Sequence, residues 1–198
     1  MRRWIGLTCI LLGMICLLGS LGFTIYNRLE SKNAATYTET ILADVQSKMK
    51  EEKIEPYDSQ IEMSTVKVDG YDCIGILTIP VLELELPVLT DWSYEKLKKA
   101  PCHYYGSYYE KDFVIAAHNY NAHFGRLSQL QEGDDVMFTD VSGNMHCYKV
   151  VLSETLPKNA TKEMITSGFD LSLYTCTPGG ASRVTVRCST TQETNQKN

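Results

Sequence analysis

The chain has 198 residues, 43% of them apolar and 22% charged, the make-up of an ordinary globular protein, which excludes wholesale disorder and collagen-like or repeat architectures. Nineteen Lys+Arg stand against 24 Asp+Glu for a net charge of −5, and Arg2 and Arg3 are the only charged side chains before Arg28, so the remainder is more acidic still. With no basic stripe, no helix-turn-helix or RNA-binding signature and no internal repeat, nucleic acid is excluded as a partner.

The first element is apolar. Trp4 to Ile25 runs for 22 residues with no ionisable side chain except Cys9 and Cys16. As a helix it would span roughly 33 Å, enough to cross the hydrocarbon core of a bilayer. The run exceeds the h-region of a secretory signal, and no small-residue cleavage site follows it, so it reads as an uncleaved anchor. Arg2 and Arg3 precede it, while Arg28, Glu30 and Lys32 nearly cancel after it. The positive-inside rule therefore keeps the N-terminus cytoplasmic and sends residues 28–198 outside the plasma membrane. The expected organisation is an anchor over 1–27, a stalk over 28–70, a catalytic β-domain over 71–190 and a polar tail over 191–198.

After the anchor, Thr36-Tyr37-Thr38-Glu39 has the form of a capping box. Ile41, Leu42, Val45 and Met49 then share one helical face, which predicts an amphipathic helix over Tyr37–Lys53. Pro56 to Gly70 reads as a connector. Ile74–Ile79 and Leu82–Leu89 read as strands broken at Pro80. Ser93 can cap a short helix over Tyr94–Lys99, which Pro101 stops. Phe113–His118 is a compact strand, and Phe124–Leu130 one or two helical turns. Val136–Thr139 and Met145–Leu152 flank a turn sequence, Asp140–Asn144. Leu171–Cys176 and Arg183–Cys188 flank another, Thr177–Ser182. Seven or eight short strands with little helix predict a sandwich or a closed barrel. Ser153–Asp170 is long enough to wall a groove.

Seven cysteines are an odd number for an exported chain. The five beyond the anchor, Cys73, Cys102, Cys147, Cys176 and Cys188, leave at least one thiol free or paired between chains. No Cys-x-x-Cys occurs, so no thioredoxin-like or Cys-rich zinc site is expected. His118 and His123 are five residues apart, which is not a helical metal-ligand spacing, and neither a metal nor a cofactor is expected. Asn159-Ala160-Thr161 matches a glycosylation sequon by pattern only. His103-Tyr104-Tyr105 with Tyr108-Tyr109 could rim a groove, but reads first as packing under a loop.

Two strand ends carry reactive groups. His118 ends one apolar strand, and Cys176 ends another before a Pro-Gly-Gly turn, positions where a rigid scaffold presents side chains. A thiol with a histidine is the minimum pair for cysteine nucleophilic catalysis. Arg183, just across the turn, offers a permanent cation and a fork of N–H donors for an oxyanion. Alternation along the strands puts Phe113, Ile115 and Ala117 on one face and Val114, Ala116 and His118 on the other. It likewise separates Leu171, Leu173 and Thr175 from Ser172, Tyr174 and Cys176. With the larger apolar sets inside, His118 and Cys176 both face outward, and Val114 and Ala116 offer a groove floor. A symmetric hairpin about Thr177–Ser182 pairs Cys176 with Arg183 and Ser172 with Arg187, which selects Arg183 as the arginine at the thiol.

Ser172-Leu173-Tyr174-Thr175-Cys176 resembles the T-L-x-T-C signature of sortases, the cysteine transpeptidases of Gram-positive cell surfaces, with Ser172 in place of the first Thr. Ala117-His118-Asn119 resembles their histidine segment and Arg183–Arg187 their final strand. The resemblance covers about residues 71–190 and has a class B- or D-like character, with the subclass unassigned. It implies an eight-stranded β-barrel with short helices behind a transmembrane helix and an amphipathic helix. It implies cleavage of a Leu-Pro-x-Thr-Gly-like sorting signal peptide through a thioacyl intermediate on Cys176. The acyl group would pass to an amine of a peptidoglycan precursor or a pilin lysine. His118 would serve as acid and base, Arg183 as oxyanion donor, and Thr175, Val114 and Ala116 as substrate contacts. Two other readings stand beside it: a hydrolytic cysteine peptidase using the same residues with water as acceptor, and a non-catalytic membrane-anchored β-domain that binds a partner.

Overall fold

The computed structural model describes residues 2–51 and 63–191. The end of the expected helix at Lys53, the first part of the connector (56–62) and the polar tail from 192 lie outside the described residues. The chain divides into two compact units, Met1–Asn33 and Ala34–Asn198.

Helix α1 runs from Arg2 to Glu51 without interruption. It replaces the two helices expected from the sequence. The polar stretch Asn27–Ala35 holds neither Pro nor Gly, and its Arg, Leu, Lys and Ala residues are good helix formers, so the turn continues through it. The capping box is accordingly unused as a start, and the Thr36 carbonyl instead accepts from the Thr40 hydroxyl at 2.9 Å inside the helix. In the first unit Leu11, Leu18 and Phe23 are each more than half exposed. This portion is long and apolar enough to cross a membrane.

In the second unit the same helix turns one face inward. Ala34, Thr38, Ile41 and Val45 recur at helical spacing and are all buried. Ile41 and Val45 pack with Val66, Val68, Cys73, Ile76, Leu89, Ala100, Cys102 and Val141 in a second apolar cluster. Burying each such aliphatic side chain is worth about 1.5–3 kcal/mol, so the helix is a brace on the β-domain.

The β-domain contains strands β1 (Val66–Val68), β2 (Tyr71–Ile79), β3 (Leu84–Leu89), β4 (Cys102–Tyr105), β5 (Phe113–Ala116), β6 (Asp135–Asp140), β7 (Met145–Pro157), β8 (Leu171–Cys176) and β9 (Ser182–Thr190). Neighbours follow the order β2-β3-β4-β5-β8-β9-β7-β6, and β6 pairs back onto β2, which closes an eight-stranded barrel. Strand β1 adds to the free edge of β2 ahead of β6. The barrel closes over Gly75, where a Cβ would stand 2.2 Å from the Thr139 carbonyl oxygen, so no other residue fits that approach. Ile74, Leu77, Val88, Phe113, Ile115, Phe138, Leu171, Leu173 and Val186 fill the interior.

The helix capped by Ser93 is present as α2 (Tyr94–Leu97), with the Ser93 hydroxyl accepting from Lys96 N at 3.2 Å. The break at Pro80 is a 3-10 turn, Pro80–Leu82, and the helical turn near Phe124 is another, Leu127–Gln129. Strand β7 continues to Pro157 because it is paired with β9 from Tyr148 to Pro157, past the expected end at Leu152. Strands β1 and β4 and the short helix α3 (Thr161–Ile165) had no sequence signal strong enough to be expected.

Candidate active site

Strands β5 and β8 run parallel, with Phe113 opposite Leu171 and Ala116 opposite Tyr174. Just past the end of β5 the pairing continues, as Ala117 N donates to Tyr174 O at 3.1 Å. The constant offset brings His118 level with Cys176. On the other side β8 and β9 are antiparallel, with Cys176 opposite Arg183 and Ser172 opposite Arg187, the register expected from the hairpin. The turn sets that register locally. Gly179 and Gly180 take φ of 81° and 74°, a left-handed pair that Gly adopts freely. Thr177 closes the loop, its N donating to Ser182 O at 3.0 Å and its hydroxyl accepting from Ser182 N at 3.1 Å.

His118, Cys176 and Arg183 therefore project from three adjacent strands at one level, where neighbouring strands lie about 4.8 Å apart. All three line one groove of about 150 Å³. Its other walls are Trp92, Tyr94, Leu97, Tyr104, Ala116, Ala117 and Tyr174 on one side and Pro157, Lys158, Ala160, Thr161 and Met164 on the other. Arg183 Nη1 donates to Gly180 O at 3.2 Å and Ser182 O at 3.1 Å. That ties the guanidinium to the turn and uses one of its nitrogens.

Burial separates the thiols of the β-domain. All seven cysteines are free. Cys73, Cys102 and Cys188 are fully buried, and burial pushes each thiol up to about 12. A thiol held that far from ionisation is inert near neutral pH. Cys176 is partly exposed in the groove, and Cys147 is partly exposed on β7. Among the described residues no cluster of three or more His, Cys, Asp or Glu is arranged to hold a metal ion.

Two expected substrate contacts are displaced. Val114 does face outward but is fully buried and does not line the groove, because α3 lies against β5 and covers that face. Thr175 points inward at 4% exposure, and its hydroxyl donates to Ala117 O at 2.8 Å. It staples the ends of β5 and β8 together and presents nothing to a ligand. Ala116 does line the groove.

The groove has an aromatic rim, a role the sequence reading offers for Tyr104 only second to packing under a loop and does not offer for Trp92 or Tyr94. Trp92 stacks edge-on to Tyr94 at 5.9 Å and contacts Tyr104 at 5.6 Å, and Tyr104 meets Tyr174 at 5.3 Å. Tyr104 and its neighbours were conspicuous as a cluster, yet only the parallel pairing of β4 beside β3 brings Tyr104 to the groove, while Tyr108 enters the core. Two further histidines sit apart. His103 bridges Thr90 O and Gly106 O at 2.9 and 2.8 Å, and His146 lies 3.5 Å from buried Asp140.

The other arginine of β9 is a structural centre. Arg187 is 2% exposed and donates to Glu154 Oε1 at 2.9 Å, Ser172 Oγ at 2.8 Å and Glu163 O at 2.8 Å. It fastens α3 to the outer face of β8 and β9.

A family model for the sortase domain matches residues 77–191, more than half of the chain. The chain belongs to the sortase family. Sortase D of Bacillus subtilis is 28% identical over 126 residues, and the alignment covers 61% of this chain and 63% of that protein, so the chain spans less than two thirds of that relative's length. A Clostridium perfringens sortase D5 transpeptidase shares the fold with a TM-score of 0.62 at 19% identity, covering 79% of this chain and 99% of its own. A Clostridium perfringens sortase C solved with the C-terminal cell wall sorting motif superposes with a TM-score of 0.55 at 20% identity, over 76% and 89% of the two chains. The closed eight-stranded barrel is thus of sortase type.

Proposed function

We propose that this sortase-family chain is a membrane-anchored cysteine transpeptidase acting on a Leu-Pro-x-Thr-Gly-like sorting signal. The observation that carries the reading is the convergence of His118, Cys176 and Arg183 from three adjacent strand ends into one groove. The sortase C neighbour with its sorting motif and the sortase D relative support the substrate class and a class D-like character.

In this reading the Cys176 thiolate attacks the scissile carbonyl, and the oxygen of the tetrahedral adduct is held by Arg183, whose guanidinium has donors beyond Nη1. His118 protonates the departing amine, leaving a thioacyl enzyme. It then takes a proton from the incoming amine, supplied by a peptidoglycan precursor or a pilin lysine, as that nitrogen attacks the thioester. No cofactor takes part. The apolar run Trp4–Ile25 anchors the protein in the plasma membrane, with the barrel on the outer face.

The test is incubation of the full chain, in detergent micelles, with a sorting-signal peptide in the presence and absence of an amine nucleophile. The expected results are a covalent adduct on Cys176 by mass spectrometry and diversion of product to the amide when amine is present. Cys176→Ala abolishes both, while replacing Cys73, Cys102, Cys147 or Cys188 leaves the adduct. An adduct on the Cys176→Ala protein overturns the nucleophile, and product that stays hydrolysed at any amine concentration makes the protein a peptidase.

A further inference from the structure

His118 is held by a loop that folds back on it. Phe124 N donates to His118 O at 3.1 Å, and Tyr120 O accepts from His123 N at 2.9 Å and Gly125 N at 2.8 Å. The Tyr120 ring lies between two imidazoles, 4.9 Å from His118 and 5.7 Å from His123. His123 itself is fully buried, and its Nε2 lies 2.8 Å from the hydroxyl of Thr38. Thr38 is the one buried polar residue on the inward face of α1 among the described residues.

The hydrogens can be assigned. The Thr38 hydroxyl donates its single proton to Lys99 O at 2.8 Å. It can then meet His123 only as an acceptor, so His123 carries its proton on Nε2 and its Nδ1 is bare. That Nδ1 is buried and has no hydrogen-bond partner. A second proton would have nowhere to go. Burial, and then the proximity of His118, accordingly push the His123 imidazole down to about 4. His123 stays neutral beside the histidine that must charge during turnover. Thr38 also lies outside the stretch matched by the sortase-domain model, which begins at residue 77.

We propose that Thr38 and His123 are positioning residues for His118: the Lys99–Thr38–His123 hydrogen-bond chain locks the 118–125 loop to helix α1 and so fixes the catalytic imidazole at the groove. The proposal rests on the reading of His118 as the proton carrier. Its content is that a hydroxyl on the helix outside the family domain sets the rate of the chemical step and leaves substrate binding alone.

The test uses the full chain in detergent micelles, with kcat and KM for a sorting-signal peptide and the pH profile of Cys176 alkylation by iodoacetamide. That profile reads the reactivity of the groove thiol itself, and it moves when the groups around the thiol are displaced. Thr38→Val keeps the shape and removes the hydroxyl. It is expected to lower kcat about tenfold with KM within about twofold, the scale of a small misplacement of a catalytic group, and to shift the alkylation profile. Thr38→Ser, which keeps the hydroxyl, restores both. His123→Phe attacks the same bond from the other partner and gives the same signature, which keeps the test decisive should either variant fail to fold. A folded Thr38→Val or His123→Phe with wild-type kcat overturns the proposal. So does a Thr38→Ser as slow as Thr38→Val. An equal loss of kcat in Val45→Ala overturns it too, since that change loosens the helix without touching the bond. His118→Ala separates the two levels. If it stays active, the proton-carrier reading falls and the positioning role with it; if it is dead while Thr38→Val is normal, only the positioning role falls.

Discussion

A buried imidazole such as His123 makes stability depend on pH, and the sign follows from its surroundings. The ring is held near 4 in the folded protein against 6.5 for a free imidazole, the first cause being burial and the second the neighbouring His118. Between those two values the unfolded chain binds the proton and the folded chain does not. Stability therefore falls as pH drops from about 6.5 to about 4 and levels off below, by up to about 3 kcal/mol at about 1.4 kcal/mol per pH unit. Denaturant melts between pH 7 and pH 4 on the wild type and His123→Asn check this. The variant is less stable throughout, since Thr38 loses its donor, but its acid slope across that window is the shallower one. Equal slopes would mean that another group titrates there.

At the scale of elements, β9 presents two arginines on one face with different tasks. Arg183 reaches the groove, and its Nη1 is tethered to its own turn. Arg187 is sealed beneath α3 and bonded to β7, β8 and α3 together. Arg183→Ala is expected to cost about 10²–10³ in turnover, the loss of one oxyanion donor, with the melting temperature little changed. Arg183→Lys recovers little, because an ammonium does not reproduce the guanidinium fork. Arg187→Met is expected to show the reverse pattern. It loses several buried charge-assisted hydrogen bonds and about 2–4 kcal/mol of stability, and KM rises because α3, whose Thr161 and Met164 wall the groove, is no longer pinned. Steady-state kinetics with thermal melts on both variants decide the matter. A stable, inactive Arg187→Met beside a normal Arg183→Ala would exchange the two roles.

At the scale of the whole molecule, the first unit is an apolar helix exposed through Leu11, Leu18 and Phe23, and every acidic residue but Glu30 lies in the second. In the proposed orientation, Arg2 and Arg3 stay inside ahead of the span and the barrel lies outside. External protease added to intact cells is expected to digest residues 28–198 while a cytoplasmic control survives. Protection of the barrel, with a control surface protein cut, would reverse the orientation.

Much of the candidate site was legible because it is built from local rules. The Pro-Gly-Gly turn closes one hairpin in one way, which sets Cys176 against Arg183 without reference to the rest of the chain. Strand alternation alone turned His118 and Cys176 to the same side. What the sequence could not supply is whatever depends on distant segments meeting. The level of His118 against Cys176 comes from a parallel pairing whose strands are separated by β6, β7 and α3. Val114 was expected as a groove floor and is buried, because α3, five residues with little propensity signal, settles on β5. Thr175 looked like part of a motif and serves instead as a staple to Ala117. The break between anchor and amphipathic helix vanished because a helix needs no second start where nothing interrupts it. Thr38 is one more polar residue in that helix until the fold brings His123 to it. Short-range steric and hydrogen-bond preferences determined the strands, the turn and the facing of the candidate pair, His118 and Cys176. Packing between remote segments decided which outward residues stay open, which are covered, and what holds the histidine in place.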